Sequence, residues 1–250
     1  MITFYLLRGM ARESAHWGEF PTRLIECFPG SSYVNMDLPG FGELNYIDSP
    51  NSIEAMVYIL KEKYYKVGNT NIFIASSLAA LVALSWSKSF KNDFCGIILL
   101  SPSVKGICKF SERVKFPTWY DCSKAVLHPS KKTREKMFLK INVNDNKLRE
   151  DLLLPWLEIH KVKPYKIRNV LMQLVAGMRF NLAQYHVNNP VLIVGSHKDR
   201  LVATSCLQKL TSVLSADLAL HPHVGHSLTL EDSKWLCVEI DNWIKTKPIL

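Results

Sequence analysis

Three residues far apart in the chain are of types that could act together: Ser77, Asp199 and His226. A serine hydroxyl is a weak nucleophile until a histidine takes its proton. A carboxylate must in turn hold that imidazole in one tautomer and stabilise its cation. Ser77 lies in NIFIASSLAALVALSWSK, Asn71 to Lys88. This stretch opens as the apolar run Ile72-Phe73-Ile74, passes through Ala75-Ser76-Ser77 and continues with helical periodicity. A buried strand that breaks into a helix through small residues needs a tight turn, and such a turn lifts one side chain above the end of a sheet. Asp199 follows Gly195-Ser196-His197-Lys198, just past an apolar run, and His226 follows Gly225 just past another. Other residues of the same types lie close by. Ser76 sits one place early in the turn, His221 and His223 flank His226, and Asp37 precedes Pro39-Gly40, which suggests a structural turn.

The elements that would position these residues alternate from the start. Apolar runs at Thr3 to Leu7, Ser32 to Met36, Ile72 to Ile74, Cys95 to Leu100, Val191 to Gly195 and Asp217 to His221 read as six strands. Helical patterns fall between them: His16 to Cys27, a helix N-capped by Ser52 and running to about Tyr65, one following Leu78, Ala203 to Leu214 and Glu231 to Ile244. Strands alternating with helices imply crossover units and a parallel sheet covered on both faces. In such a sheet reactive groups converge on the loops after the strand C-termini, here Gly9-Met10, Asp37, Ser77, Ser101, Asp199 and His226.

Ser103 to Asn188 interrupts the alternation with helical patterns at Thr133 to Ile141, Lys147 to His160 and Ile167 to Leu182, and with no convincing strand. This divides the chain into a core, 1–102 with 189–250, and a helical insertion, 103–188, expected to cover the ligand-binding end of the sheet as a lid. The net charge of +9 belongs to the insertion, which holds 17 Lys and Arg against 7 Asp and Glu; the rest of the chain has 14 against 15. A solvated surface or a positive face for an acidic partner would each account for that excess. The six cysteines show no metal-ligand spacing and lie mostly in apolar segments, so reduced thiols in a reducing compartment, and a cytoplasmic protein, are expected. No apolar run reaches the roughly 18 residues of a membrane span. No module interleaves basic residues with stacking aromatics, so nucleic acid is not an expected partner.

With these residues in view the chain resembles the α/β-hydrolase superfamily over nearly its whole length. The family's His-Gly after the first core strand is matched by Arg8-Gly9, its D-x-P-G-x-G by Asp37 to Gly42, and its G-x-S-x-G elbow by Ala75 to Ala79. Its G-x-x-D corresponds to Ser196 to Asp199, with the glycine one place early at Gly195, and its G-H to Gly225-His226. The chain is expected to open directly on the counterpart of the family's third strand. Alanines at 75 and 79 keep the small volume that strand–helix packing requires. Arg8 in place of histidine leaves a backbone donor intact and is expected to pair with Asp37 or Glu13.

The resemblance implies an α/β-hydrolase fold of about six mostly parallel strands with a helical lid. It makes Ser77 the nucleophile, His226 the general base and Asp199 the orienting acid, with an oxyanion hole from the backbone N–H groups of Met10 and Leu78. No cofactor or metal is implied. A serine at the elbow speaks against dehalogenases and epoxide hydrolases that use aspartate there. Trp17, with His16, reads as helix packing, and Phe116, Trp119, Tyr120, Trp156, Met172, Met178 and Phe180 as the core of the insertion; Trp17, Trp119 and Phe180 are the candidates among them to line a substrate pocket. Size and lid placement are similar to small bacterial carboxylesterases, including the pimeloyl-carrier-protein methyl ester esterases of biotin synthesis. The implied reaction is cleavage of a small-molecule carboxylic ester or thioester through an acyl-enzyme, and an acidic acyl carrier protein would suit the basic lid. The contrasting reading is a ligand- or partner-binding protein that keeps the fold with little turnover, supported by the altered elbow and Arg8.

Overall fold

The six apolar runs form one parallel sheet in the computed structural model, which describes residues 1–68, 70–182 and 187–247. The strands are β1 (Ile2–Leu7), β2 (Ser32–Met36), β3 (Thr70–Ser76), β4 (Gly96–Leu100), β5 (Val191–Ser196) and β6 (Asp217–His221), in the order β2-β1-β3-β4-β5-β6. Alternate side chains along each strand enter two separate cores, as the two-residue period requires. On one face Phe4, Leu6, Ile72, Ile74, Ile98 and Val194 pack on α1 (Phe20–Cys27) and α11 (Ser233–Thr246), the latter preceded by α10 (Leu228–Glu231). On the other Tyr5, Leu7, Phe73, Ile97, Leu99 and Ile193 pack on α2 (Ile53–Tyr64), α3 (Ala79–Ser89) and α9 (Thr204–Leu214). Burial on both faces explains why β3 and β4 read as continuous apolar runs.

Register sets the site. Leu7 pairs with Ala75, Ser76 with Leu100, Leu100 with Val194, and Ser196 with His221. The strands therefore finish almost level, and the loops leaving them meet along one edge of the sheet.

Between β4 and β5 lie α4 (Phe110–Arg113), α5 (Phe116–Leu127), α6 (Lys131–Asn142), α7 (Asn146–Val162) and α8 (Ile167–Arg179). The last three match the expected helices to within a few residues; α4 and α5 were not legible as elements. The helix expected over His16 to Cys27 is split into a 3-10 turn, Ser14–Trp17, and α1, because Gly18 takes φ +59° between them. Ser52 caps α2, its hydroxyl accepting from Ala55 N at 3.3 Å.

The inserted helices are tied to the core at several points. Asn169 and Gln173 of α8 are fully buried: Asn169 Oδ1 accepts from Ser49 N at 3.1 Å and Gln173 Oε1 from Ala11 N at 3.0 Å. Gly177 of α8 lies so close to the elbow that a Cβ there would stand 2.8 Å from Leu78 Cδ1. Cys108, ahead of α4, forms a disulfide with Cys206 on α9. This corrects the expectation of reduced cysteines: residues 98 apart in sequence meet only once the insertion has docked. It also removes the cysteines as an argument for a reducing compartment. Cys27, Cys95, Cys122 and Cys237 are free thiols.

Candidate active site

Ser77 leaves β3 with φ +55°, the left-handed region that β-carbon-bearing residues rarely occupy. Its N–H donates to Leu100 O at 2.8 Å, and its carbonyl accepts from Ala80 N at 3.0 Å as α3 begins. The sharp strand-to-helix turn therefore forms with alanine on both sides, and Ala75 and Ala79 are wholly buried. Ser76, the rival serine, is the last residue of β3 and lacks this conformation.

Gly9 explains how the loop after β1 reaches the elbow. A Cβ at Gly9 would stand 2.9 Å from both Ser76 O and Ser77 Cβ and 3.4 Å from Leu78 N, so only glycine allows the approach. It brings Gly9 against the Leu78 amide with Met10 next in the chain, and among the described residues neither the Met10 nor the Leu78 amide donates to another group.

Asp199 and His226 meet above β5 and β6. His226 Nδ1 lies 2.8 Å from Asp199 Oδ2, and both side chains are buried. Oδ1 accepts from Leu201 N at 2.7 Å and Val202 N at 3.1 Å. Burial alone would raise the Asp199 pKa, but the imidazole and these donors outweigh it and hold the carboxyl below its ordinary value. An ionised carboxylate only accepts, so Nδ1 carries the proton and Nε2 is the basic nitrogen. Nε2 is buried and has no hydrogen-bond partner among the described residues.

Ser77 and His226 line the same cavity of about 410 Å³, whose floor also includes Gly9 and Met10. No hydrogen bond joins Ser77 Oγ to the imidazole among the described residues. Such contacts often tighten only in the reacting complex. Val126, Phe138, Ile141, Trp156, Leu171 and Leu174 from the inserted helices supply apolar walls. A second depression of about 480 Å³, between Gly18–Arg23 and Leu230–Lys234, contains none of these three groups.

The residues expected to bind substrate lie elsewhere. Trp17 belongs to the core under β1, where the Arg8 guanidinium stacks 4.9 Å from its ring centroid. Phe180 is buried against the α3 side of the sheet, and Trp119 is more than half exposed on α5. The pairing expected for Arg8 is also different. Its Nη1 donates to Thr229 Oγ1 at 3.3 Å, and burial beside Arg12 lowers its pKa to about 9. Asp37 instead accepts from Ser14 N at 2.5 Å and Glu43 N at 2.8 Å, and Gly42 leaves room for its carboxylate: the structural role its sequence context suggested.

Several positioning groups carried no sequence signal. Ser101 Oγ donates to His226 O at 3.3 Å. Glu231 of α10 accepts from Gly225 N at 2.5 Å and Asn144 N at 2.7 Å, joining the histidine loop to the α6–α7 turn. Asn142 O accepts from Ser227 N at 2.8 Å. Lys115 Nζ donates to Asp199 O. The insertion thus holds the loops of both the acid and the histidine.

One group of side chains among the described residues has donors close enough for a metal: His16, Glu135 and His160. Arg12 already supplies a cation there. Its Nη1 lies 3.3 Å from Nε2 of each histidine and its Nη2 2.8 Å from Glu135 Oε1, between the rings of Phe138 and Trp156. Burial and Arg12 keep His16 neutral, its pKa well below the ordinary value. The cluster is a buried ion-pair network that joins the loop after β1 to α6 and α7.

By sequence, no protein-family model and no curated protein matches the chain. By structure, its fold is the α/β-hydrolase fold. A meta-cleavage product hydrolase from Pseudomonas fluorescens superposes with a TM-score of 0.77 at 13% identity, covering 98% of this chain and 91% of that one. An esterase from Exiguobacterium antarcticum gives 0.74 at 15% identity, with 98% and 92% covered. A thermophilic esterase from Thermogutta terrifontis gives 0.71 at 14% identity, with 98% and 90% covered. No described helix is long and apolar enough to cross a membrane.

Proposed function

We propose that the chain is a serine hydrolase that cleaves a carboxylic ester or thioester through an acyl-enzyme. The observation that carries this reading is the buried Asp199–His226 pair, whose Nε2 has no partner among the described residues and whose imidazole lines the cavity that also holds a left-handed Ser77. In this mechanism Nε2 takes the Ser77 proton as Oγ attacks the carbonyl carbon. The oxyanion forms against the N–H groups of Met10 and Leu78, two donors worth several kcal/mol of barrier. The imidazolium, held by Asp199, gives its proton to the departing alcohol or thiol. Water, deprotonated by the same nitrogen, then attacks the acyl-Ser77 carbonyl and releases the acid with the serine restored. The inserted helices act as the lid, and their apolar walls receive the acyl chain.

A fluorophosphonate probe followed by mass spectrometry tests the reading. A single adduct on Ser77, lost in His226→Ala, is expected. No labelling of the folded protein would instead favour a binding protein with little turnover. The excess of basic residues in the insertion supports a carrier-linked ester, of the pimeloyl-carrier-protein methyl ester kind, as substrate. Its cleavage should weaken steeply with salt while that of small neutral esters does not. An equal salt response for both would remove the carrier.

A further inference from the structure

Two cations on the cavity wall, Arg8 and Arg113, have no carboxylate partner among the described residues, and of the two only Arg113 has no side-chain partner of any kind there. Arg113, the last residue of α4, lines the cavity, which contains no aspartate or glutamate. Among the described residues no carboxylate lies within ion-pair distance of Arg113, and its Nε is buried without a hydrogen-bond partner. The other two arginines at the cavity are engaged, Arg12 by Glu135 and Arg8 by Thr229 and the Trp17 ring. Desolvation acts on Arg113 with no neighbouring charge to offset it, and lowers its pKa.

Its place is also fixed. The adjacent Glu112 points away, its carboxylate 2.7 Å from Lys209 Nζ and Ser205 Oγ on α9. Glu112 O accepts from Ala203 N at 2.8 Å and Lys115 N donates to Leu201 O at 3.0 Å. The Cys108–Cys206 disulfide holds the same segment on the other side. A half-buried cation costs free energy that an anion of matching geometry would recover, and a guanidinium pairs with a carboxylate through two parallel hydrogen bonds. Arg8 is buried and held by Thr229 and Trp17, so the one guanidinium left to meet a ligand is that of Arg113, and a single such cation matches a monoanion, hence a carboxylate more than a doubly charged phosphate.

We propose that Arg113 is a specificity residue, binding a carboxylate carried by the substrate at a distance from the scissile carbonyl. The preferred substrate is then a free half-ester of a dicarboxylic acid, in place of the carrier-linked diester, whose two carboxyl groups are both esterified. This rests on Ser77 as nucleophile, and the test separates the two.

The probes are p-nitrophenyl hexanoate and the p-nitrophenyl half-ester of adipic acid, which differ in a terminal methyl against a carboxylate. The wild type should favour the half-ester in kcat/KM. Arg113→Gln should lower that preference by about tenfold or more, the lower end expected for a charged hydrogen bond. Lys91→Gln, the same charge change on the exposed turn between α3 and β4, should leave the preference as it is. An unchanged preference in Arg113→Gln, or a wild type that favours hexanoate, overturns the proposal. Calorimetric binding of monomethyl against dimethyl adipate to Ser77→Ala reads the arginine without turnover. Tighter binding of the acid, lost when Arg113→Gln is added, supports the proposal even if neither ester is cleaved. Equal binding of the two defeats it even if both are cleaved.

Discussion

Exchanging one oxygen of Asp199 for nitrogen separates catalysis from folding at this site. Oδ1 accepts both backbone hydrogen bonds, from Leu201 N and Val202 N, whereas Oδ2 alone faces His226. In Asp199→Asn the amide oxygen takes the Oδ1 position, because the two N–H groups require an acceptor, and NH2 then faces Nδ1. A donor against Nδ1 forces the imidazole proton onto Nε2, the nitrogen that must accept from Ser77. The corresponding exchange in a serine protease lowers kcat about 10⁴-fold, roughly 5 kcal/mol of barrier. Stability should change little, since every backbone partner is kept. Asp199→Ala loses the tautomer control too, but also leaves two buried N–H groups without acceptors, at about 1–3 kcal/mol each. For a chain of this size each kcal/mol lowers Tm by about 2–4 °C. Steady-state hydrolysis of p-nitrophenyl acetate with a thermal melt of each variant reads both quantities. Were Asp199→Asn to retain more than about a tenth of wild-type kcat, Asp199 could not be the orienting acid. A large fall in its Tm would show that the loss of activity came from the fold.

Three further outcomes are expected. Gly9→Ala should push the loop after β1 off the elbow, moving one oxyanion donor and lowering kcat about 10²-fold with a smaller change in KM; an unaltered kcat would place that donor elsewhere. Reducing the Cys108–Cys206 bond frees a 98-residue loop and should cost about 2–4 kcal/mol. Alkylation of the denatured protein should count four thiols before reduction and six after it. Glu13, whose pKa burial and Asp37 raise from 4.5 to about 7, contributes stability that is complete below pH 4.5 and lost as pH rises through about 7. The Tm of the wild type minus that of Glu13→Gln should therefore fall across that window, and a flat difference would contradict the placement.

The strands, and the candidate residues placed at their ends, were legible in the sequence for one reason. Strands of a parallel sheet are buried on both faces, so each reads as an apolar run with its candidate residue just beyond. What escaped depended on contacts between distant segments. Arg8 finds Thr229, 221 residues later, and Cys108 finds Cys206, neither signalled by local pattern. Trp17 looked available to a ligand because its loop leads to the site, but the split at Gly18 turns its ring into the core under the sheet. α5 lacked a clear periodic signal because several of its large apolar residues, Phe116, Trp119 and Tyr120, face outward.

The seating of α8 divides the cavity wall into parts that can diverge at different rates. Asn169 and Gln173 tie it to the loops around Ser49 and Ala11, and Gly177 rests on Leu78 next to Ser77. A change on the inner side of this helix is felt at the elbow, so selection for a new ligand would meet a catalytic penalty there. Cys122 and Leu127 of α5 line the same cavity and belong to no apolar cluster that includes α8, so they can be exchanged without disturbing that seat, whereas Val126 packs against Ala11 and Val170. Mutational libraries restricted to Cys122 and Leu127 should therefore yield altered chain-length preference at retained turnover, whereas those on the buried side of α8 should lose both together.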